Sequence, residues 1–216
     1  MARREIEFHQ DCYYHIYNRG CNREDIFYID ENYRYLIRKM HKYMVDNDVS
    51  TIAYCLMPNH THFLVKTQKV TDFSTFMKRL NLAYFQHYKK EYGWVGHLWQ
   101  DRFKSQTVGK DAYFVQCGKY IELNPVRKQM TEQPEDYLWS SYRYYSMGDP
   151  NDLMTEDFLY GEMGRDPEER QNTYSKLVID QLVEENYNRD IWGSSYQQYH
   201  ENRKRKYHFS KICIKR

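Results

Sequence analysis

The sequence has no run of 18 or more apolar residues, the length at which a transmembrane helix is predicted. Its amino terminus also lacks the basic stretch followed by an apolar stretch that is typical of secretory signal peptides. These two absences exclude the usual membrane and secretory patterns. We therefore expect a cytoplasmic protein without a membrane partner.

Cysteine is scarce and irregularly spaced. The sequence has 5 cysteines, which are odd in number, widely separated and without a C-x-x-C pair. This spacing argues against both a disulfide framework and a structural zinc site, so we expect reduced thiols.

Leu, Ile and Val are sparse, whereas aromatic residues make up 17% of the chain, mainly through 23 tyrosines. Many of these rings must serve packing, but flat aromatic surfaces also suit the stacking of nucleic-acid bases.

The net charge of +2 is unevenly distributed along the chain. Residues 1–130 carry a net charge of +6, residues 131–190 carry −10 and residues 191–216 carry +6. The basic first part is expected to meet a polyanion, while the acidic segment stays away from it.

Strand and helix patterns follow one another in the order β-α-β-β-α-β. Strands are predicted at residues 12–18, 50–57, 60–67 and 103–108, and helices at residues 31–47 and 71–92. This order predicts an α+β, ferredoxin-like fold, an antiparallel sheet with helices on one face. A further helix is predicted at residues 112–123, after the fourth strand.

Gly148-Asp149-Pro150 marks a domain boundary. We predict a main domain at residues 1–147 and a small acidic helical appendage with a basic tail at residues 148–216. A packing element that covers the edge of the main domain is the favoured role for the appendage. The tail could bind phosphates or be only solvated.

Two histidines lie one residue apart in the third predicted strand. Side chains alternate along a strand, so His60 and His62 should share one face with Leu64. Neighbouring imidazoles can share a metal ion. A pair of half-buried polar residues without a metal is the alternative interpretation.

A tyrosine and an asparagine lie four residues apart at the end of the helix after the fourth strand. Tyr120 and Asn124 should lie about one turn apart on one helical face, so the phenol oxygen and the amide oxygen could both contact one ion or one phosphate. The helix should end at Asn124-Pro125, because the residue before a proline is disfavoured in helical geometry. Taken alone, a tyrosine near a helix end more often has a packing role.

Several segments, taken together, resemble the REP-associated tyrosine transposase branch of the single-tyrosine HUH transposases. They are Met57-Pro58-Asn59-His60-Thr61-His62-Phe63-Leu64-Val65, Leu98-Trp99-Gln100-Asp101-Arg102-Phe103 and Lys119-Tyr120-Ile121-Glu122-Leu123-Asn124-Pro125-Val126-Arg127. Tyr14-His15-Ile16-Tyr17-Asn18-Arg19-Gly20 and Leu138-Trp139-Ser140-Ser141-Tyr142 fit the same family. The resemblance covers residues 10–145 in the expected order.

The resemblance implies a chemistry for these residues. His60, His62 and Asn124 would hold a divalent ion, Mg²⁺ or Mn²⁺, with coordination positions left open for phosphate oxygens and water. Tyr120 would be the catalytic nucleophile, cutting single-stranded DNA to leave a 5′-phosphotyrosine and a free 3′-hydroxyl. Residues 1–147 would then be an HUH catalytic domain, and the protein would work in the cytoplasm, at the nucleoid.

The resemblance also implies a partner, single-stranded DNA with hairpins of the repetitive extragenic kind, met by a monomer or a homodimer. We expect six residues to contact this DNA, with Trp99 as a stacking platform: Arg19, Arg23, Trp99, Arg102, Lys104 and Arg127. Two alternatives stay open. The domain could hold hairpin nucleic acid without cutting it, or it could be a phosphodiesterase in which water attacks.

Overall fold

The structure is a computed structural model that describes residues 13–67, 70–108 and 112–192. The basic tail predicted from the sequence lies outside the described residues. The described elements are β1 (Tyr13–Arg19), α1 (Asp30–Asp46), β2 (Val49–Met57), β3 (His60–Thr67), α2 (Val70–Tyr92), β4 (Lys104–Val108), α3 (Ala112–Glu122), α4 (Asn124–Arg127), α5 (Tyr142–Met147), α6 (Phe158–Gly161) and α7 (Pro167–Trp192).

The four strands form one antiparallel sheet in the order β2-β3-β1-β4. Strands β1 and β2, which are connected by α1, are therefore separated by β3. Strands β3 and β4, which are connected by α2, are separated by β1. This is the arrangement of a ferredoxin-like α+β fold, and it confirms the fold that the order of elements predicts.

Helices α1 and α2 cover one face of the sheet. In α1, the buried Leu36, Met40 and Met44 recur at helical spacing, and in α2 Phe73 and Phe76 do the same. They pack on the strand residues that point to this side, which are Tyr14, Ile16, Tyr54, Leu56, Phe63 and Val65. This face contains the larger hydrophobic core, so the sheet is anchored on the side away from the histidines.

Helix α3 covers part of the opposite face. Its Ile121 packs in a second, smaller core with Leu64 of β3 and Val108 of β4, together with Ala53 of β2. The two helices of the β-α-β units thus lie on one face, as predicted, and the helix after the fourth strand lies on the other. Because α3 covers only part of its face, polar side chains of β1, β3 and β4 remain beside it.

A buried carboxylate anchors the end of α3. Glu122 is fully buried and accepts hydrogen bonds from Ser141 Oγ at 2.5 Å and from Tyr174 OH at 2.6 Å. Burial raises the pKa of Glu122 to about 7, although the two hydrogen bonds lower it. This network joins α3 to the chain that follows α4.

The outer edge of β2 is also covered by later parts of the chain. Leu56 N donates to Trp139 O at 2.8 Å, and Thr155 N donates to Thr51 O at 2.9 Å. Covering an edge strand satisfies its backbone groups and blocks pairing with other chains.

The contacts divide the chain into two compact units, Met1–Ser175 and Lys176–Arg216. The first unit extends beyond the predicted boundary after residue 147, because Leu153 is buried in the larger core. The division by function at that position stays a prediction. In the part of the chain that the structure describes, no helix is both long and apolar enough to cross a membrane.

We expect Gly118→Ala to stabilise the protein by about 0.5–1 kcal/mol, because alanine reduces the backbone entropy of the unfolded chain. Gly118 lines a cavity of about 20 Å³, and an added Cβ would meet Tyr174 OH at 3.9 Å and Ala53 Cβ at 4.0 Å, which are ordinary contacts. Urea unfolding measures the change. The matched control is Gly20→Ala, which should destabilise, because its Cβ would lie 2.5 Å from Glu24 O.

We expect Glu122 to make stability fall as the pH rises from 4.5 to about 7. In that window the unfolded state releases the proton while the folded state retains it, so the free energy of unfolding decreases, by about 3 kcal/mol in total. Glu122→Gln should remove this component when urea unfolding curves are compared across pH. The exposed Glu132→Gln should behave as the unmodified protein does, and an equal pH dependence in Glu122→Gln would contradict the assignment.

Candidate functional site

The pairing of β1 with β3 assembles a cluster of rings on the face partly covered by α3. His60 and His62 lie on this face with Leu64, and both are 7% exposed. Across the pair, Tyr17 lies opposite His62, and Arg19 lies opposite His60. Two histidines, one tyrosine and one arginine are therefore neighbours through strand register alone.

The ring of His62 contacts two rings of β1. The centroid of the Tyr17 ring lies 5.8 Å from that of His62, and the centroid of the His15 ring lies 5.2 Å from it. His15 Nε2 and His62 Nδ1 are also 3.0 Å apart, a hydrogen-bond distance. Burial, followed by electrostatic repulsion from His60, His15 and Arg19, keeps the pKa of His62 well below its usual value. His62 is therefore held as a neutral imidazole, the form that binds metals.

His60 is held by its sequence neighbour. Its Nδ1 lies 2.5 Å from Asn59 Oδ1, and Asn59 Nδ2 donates to Arg23 O at 2.9 Å. The rings of His60 and His62 are nearly perpendicular, with centroids 5.0 Å apart.

Tyr120, near the end of α3, lies beside this cluster. Its ring meets His15 edge-on at a centroid distance of 6.1 Å and His62 at 6.2 Å. The side chain is 45% exposed, so an outside group can reach the phenol. The guanidinium of Arg127 lies 4.7 Å from the centre of the Tyr120 ring, and Arg127 Nη1 donates to Tyr120 O at 2.6 Å. The structure thus brings a phenol, two imidazoles and a cation together.

Asn124 begins α4 and is 5% exposed. Its Nδ2 donates to the carbonyls of Tyr120 at 2.9 Å and Ile121 at 3.1 Å. These bonds fix the orientation of the amide, because a carbonyl can accept only from the nitrogen. The chain passes from α3 to α4 through Leu123, so the proline ends one helix and begins another instead of ending helical structure altogether.

Of the other predicted DNA contacts, strand register places Arg19 and Lys104 beside this cluster. Lys104 is exposed, with Nζ 5.5 Å from the centre of the Tyr17 ring. Arg19 has a buried Nε that lacks a hydrogen-bond partner within the described part of the chain. Arg23, at the end of a 3₁₀ helix (Cys21–Arg23), and Arg102, in the loop before β4, are exposed. Each of these side chains is polar surface that a phosphate could use.

Trp99 lies elsewhere. It is only partly buried, but it packs against the larger core, with its ring 6.0 Å from that of Tyr84, and its Nε1 donates to Asn81 O at 3.3 Å. These contacts give Trp99 a packing role on the side of α2. Its role as a stacking platform stays a prediction.

His15 and Asn59 are site residues that the sequence interpretation did not assign. Both belong to segments that carry the family resemblance, but their contacts depend on the β1–β3 register and on the loop at Arg23. Strand alternation would place His15, Tyr17 and Arg19 on one face of β1. Only the pairing of β1 with β3 shows which face of β3 they meet.

The chain is similar to a known family and to solved structures. Residues 8–124 match the model of a family described as IS200-like transposases. Among solved structures, a REP-associated tyrosine transposase bound to a REP hairpin is 18% identical, with a TM-score of 0.58 over 73% of this chain and 93% of that one. A candidate transposase from Deinococcus radiodurans R1 is 22% identical over 56% of this chain and 96% of its own, with a TM-score of 0.38. Comparison with curated proteins finds no significant match.

Proposed function

Since this chain belongs to the IS200-like transposase family, we propose that it is a metal-dependent endonuclease and strand transferase that acts on single-stranded, hairpin-forming DNA. The observation that carries the proposal is the position of Tyr120. It is a half-exposed phenol whose ring lies edge-on to the neutral His62. A nucleophile beside potential metal ligands suits phosphoryl transfer.

In the proposed reaction, the Tyr120 oxygen forms a bond to phosphorus while the bond to the 3′-oxygen breaks. The departing 3′-oxygen takes up a proton in place of the one that the phenol loses, so the products are a 5′-phosphotyrosine and a free 3′-hydroxyl. Attack by a second 3′-hydroxyl would reverse the step, release the Tyr120 phenol and join strands. A phenol is mostly protonated at neutral pH, so the reaction needs electrostatic help. Arg127, 4.7 Å from the ring, provides a positive charge beside the nucleophile.

The proposed cation site is formed by His60, His62 and Asn124. The donor set fits a divalent ion, Mg²⁺ or Mn²⁺: the two histidines are buried, and the Asn124 amide nitrogen bonds to helix carbonyls, which leaves its oxygen as the ligand atom. Within the described residues, no group of three His, Cys, Asp or Glu side chains could hold a metal. The proposed set combines two histidines with an amide. A bound cation would neutralise charge that develops on the phosphate.

Hairpin DNA is the proposed partner, by analogy with the relative solved with a REP hairpin. Basic side chains on the Tyr120 side of the sheet support this choice. Arg19 contributes a buried Nε without a partner among the described residues, and Lys104 is exposed over Tyr17. Arg23, Arg102 and Arg127 add to the same proposal, while Trp99 is its weakest member because the ring packs on the core.

A second candidate function is hairpin binding without cleavage. It is favoured by the same basic side chains and by the hairpin bound to the structural relative. It needs neither a reactive phenol nor a cation, so the two functions differ in the experiments below.

We expect wild-type protein, labelled single-stranded hairpin DNA and Mn²⁺ to give a protein–DNA adduct that survives denaturation. Tyr120→Phe should reduce the adduct to less than about 1%, because the attacking oxygen is lost. Tyr113→Phe, seven residues earlier in α3, is the matched control and should retain the adduct. An adduct that persists in Tyr120→Phe would overturn the nucleophile assignment. Hairpin binding without any adduct would favour the second function.

We expect the double variant His60→Ala, His62→Ala to lose adduct formation at all Mn²⁺ concentrations while it still binds the hairpin. The reason is that phosphate contacts from basic side chains do not depend on the cation. Gel shift and denaturing gels separate the two readouts. The control is His87→Ala in α2, where the ring stacks on Tyr35 instead. Cleavage that survives the double substitution would exclude His60 and His62 as ligands.

A further inference from the structure

We infer that His15 and Asn59 are positioning residues, which accept the Nδ1 protons of His62 and His60 and so place both lone pairs on Nε2. The inference rests on the proposed function, because it concerns how the two ligands are prepared for a cation. It adds two residues to the site and gives each a defined hydrogen bond. It also predicts one protonation pattern for the free protein, which can be measured without metal or DNA.

The orientation of Asn59 follows from the loop beside it. Asn59 Nδ2 donates to Arg23 O at 2.9 Å, and a carbonyl oxygen can only accept. The Asn59 oxygen is therefore the atom that lies 2.5 Å from His60 Nδ1. Because that oxygen is also an acceptor, the proton of the bond must belong to His60 Nδ1. A neutral His60 then carries its lone pair on Nε2.

The loop that supplies this carbonyl has an unusual backbone. Asn22 and Arg23 are consecutive residues with positive φ, at 52° and 62°, although neither is glycine. Such conformations cost free energy for L residues and concentrate where the surrounding structure requires them. Here the turn ends with Arg23 O at the Asn59 amide, and Gly20 N in the same segment donates to Asn59 O at 2.9 Å. Asn59 is thus fixed through both its main chain and its side chain.

His15 has the corresponding position for His62. Its Nε2 lies 3.0 Å from His62 Nδ1, and the two rings are nearly parallel, with an interplanar angle of 20°. His15 pairs directly with Leu64, so it reaches His62 diagonally across β1 and β3. The neighbouring Tyr17 ring, 5.8 Å from the centre of the His62 ring, also limits its rotation.

A bond between two imidazoles has two possible directions. If His15 donates, a neutral His62 carries its proton on Nε2 and has no lone pair there. If His62 donates, its lone pair lies on Nε2, as it does in His60. Only the second direction makes the two neighbouring histidines equivalent ligands. Metal-bound histidines commonly donate their other ring nitrogen to a fixed acceptor, which holds both tautomer and ring orientation.

The first test is the tautomeric state of the full-length, metal-free protein at pH 8, read from two-bond ¹H–¹⁵N spectra of the imidazoles. We expect His60 and His62 to carry the proton on Nδ1. In His15→Phe, which keeps a ring but removes the acceptor, the preference of His62 should be lost while that of His60 remains. A proton on Nε2 of His62 in the wild type would overturn the role of His15. The same result at His60 would overturn the role of Asn59.

The second test is Mn²⁺ affinity, measured by electron paramagnetic resonance of the free ion. We expect His15→Phe to weaken binding by about 10–100-fold, the range found for partners of metal ligands. His15→Gln, which can place an acceptor near the Nε2 position, should recover most of the affinity. His87→Phe makes the same substitution on α2 and should leave binding unchanged. Thermal unfolding of each variant shows whether the fold is retained.

The results separate the inference from the function on which it rests. If folded His15→Phe binds Mn²⁺ with the same affinity as the wild-type protein, the role of His15 is overturned and the proposed function still stands. Wild-type protein that binds no Mn²⁺ would remove the cation from the proposed function. In that case the tautomer spectra still decide whether His15 and Asn59 orient the two histidines.

Discussion

The antiparallel pairing of β1 with β3 is the constraint on which the site depends. Its register places Tyr17 opposite His62 and Arg19 opposite His60, and it brings His15 to within hydrogen-bond distance of His62. Side chains alternate in direction along a strand, so a slip of one residue would move these groups to the opposite face. The larger core prevents such a slip, because the alternate residues of both strands are packed beneath α1 and α2.

The second requirement is that α3 keeps a fixed position over this face. Glu122 follows Tyr120 by two residues but points into the protein, where Ser141 and Tyr174 donate to its carboxylate. Asn124 and Arg127 both donate to Tyr120 O, just beyond the end of α3. The phenol therefore belongs to a helix whose end is fixed by two sets of hydrogen bonds, one to the Glu122 carboxylate and one to Tyr120 O. Its ring is half-exposed and is therefore accessible from solvent.

The sequence predicted the fold well, because strands and helices are identified by patterns among residues that are close in sequence. Alternating and helical patterns of apolar residues identified four strands and the main helices, and their order restricted the topology to a ferredoxin-like arrangement, which the structure confirms. The boundary of the appendage after residue 147 stays a prediction. Its sequence is acidic, but Leu153 is buried in the larger core, and composition alone does not show which apolar residue finds a partner.

The sequence by itself determined the site residues as candidates and the family to which the chain belongs, because short motifs with fixed spacing carry both. It also determined that His60 and His62 share a face, since alternation along a strand is a local property. Only the tertiary structure decided that His15 meets His62, that Arg23 O orients Asn59 and that Trp99 packs on the core. Each of these contacts joins residues far apart in the chain or depends on a particular loop conformation. Their geometry is set by strand register and packing, which no local pattern specifies.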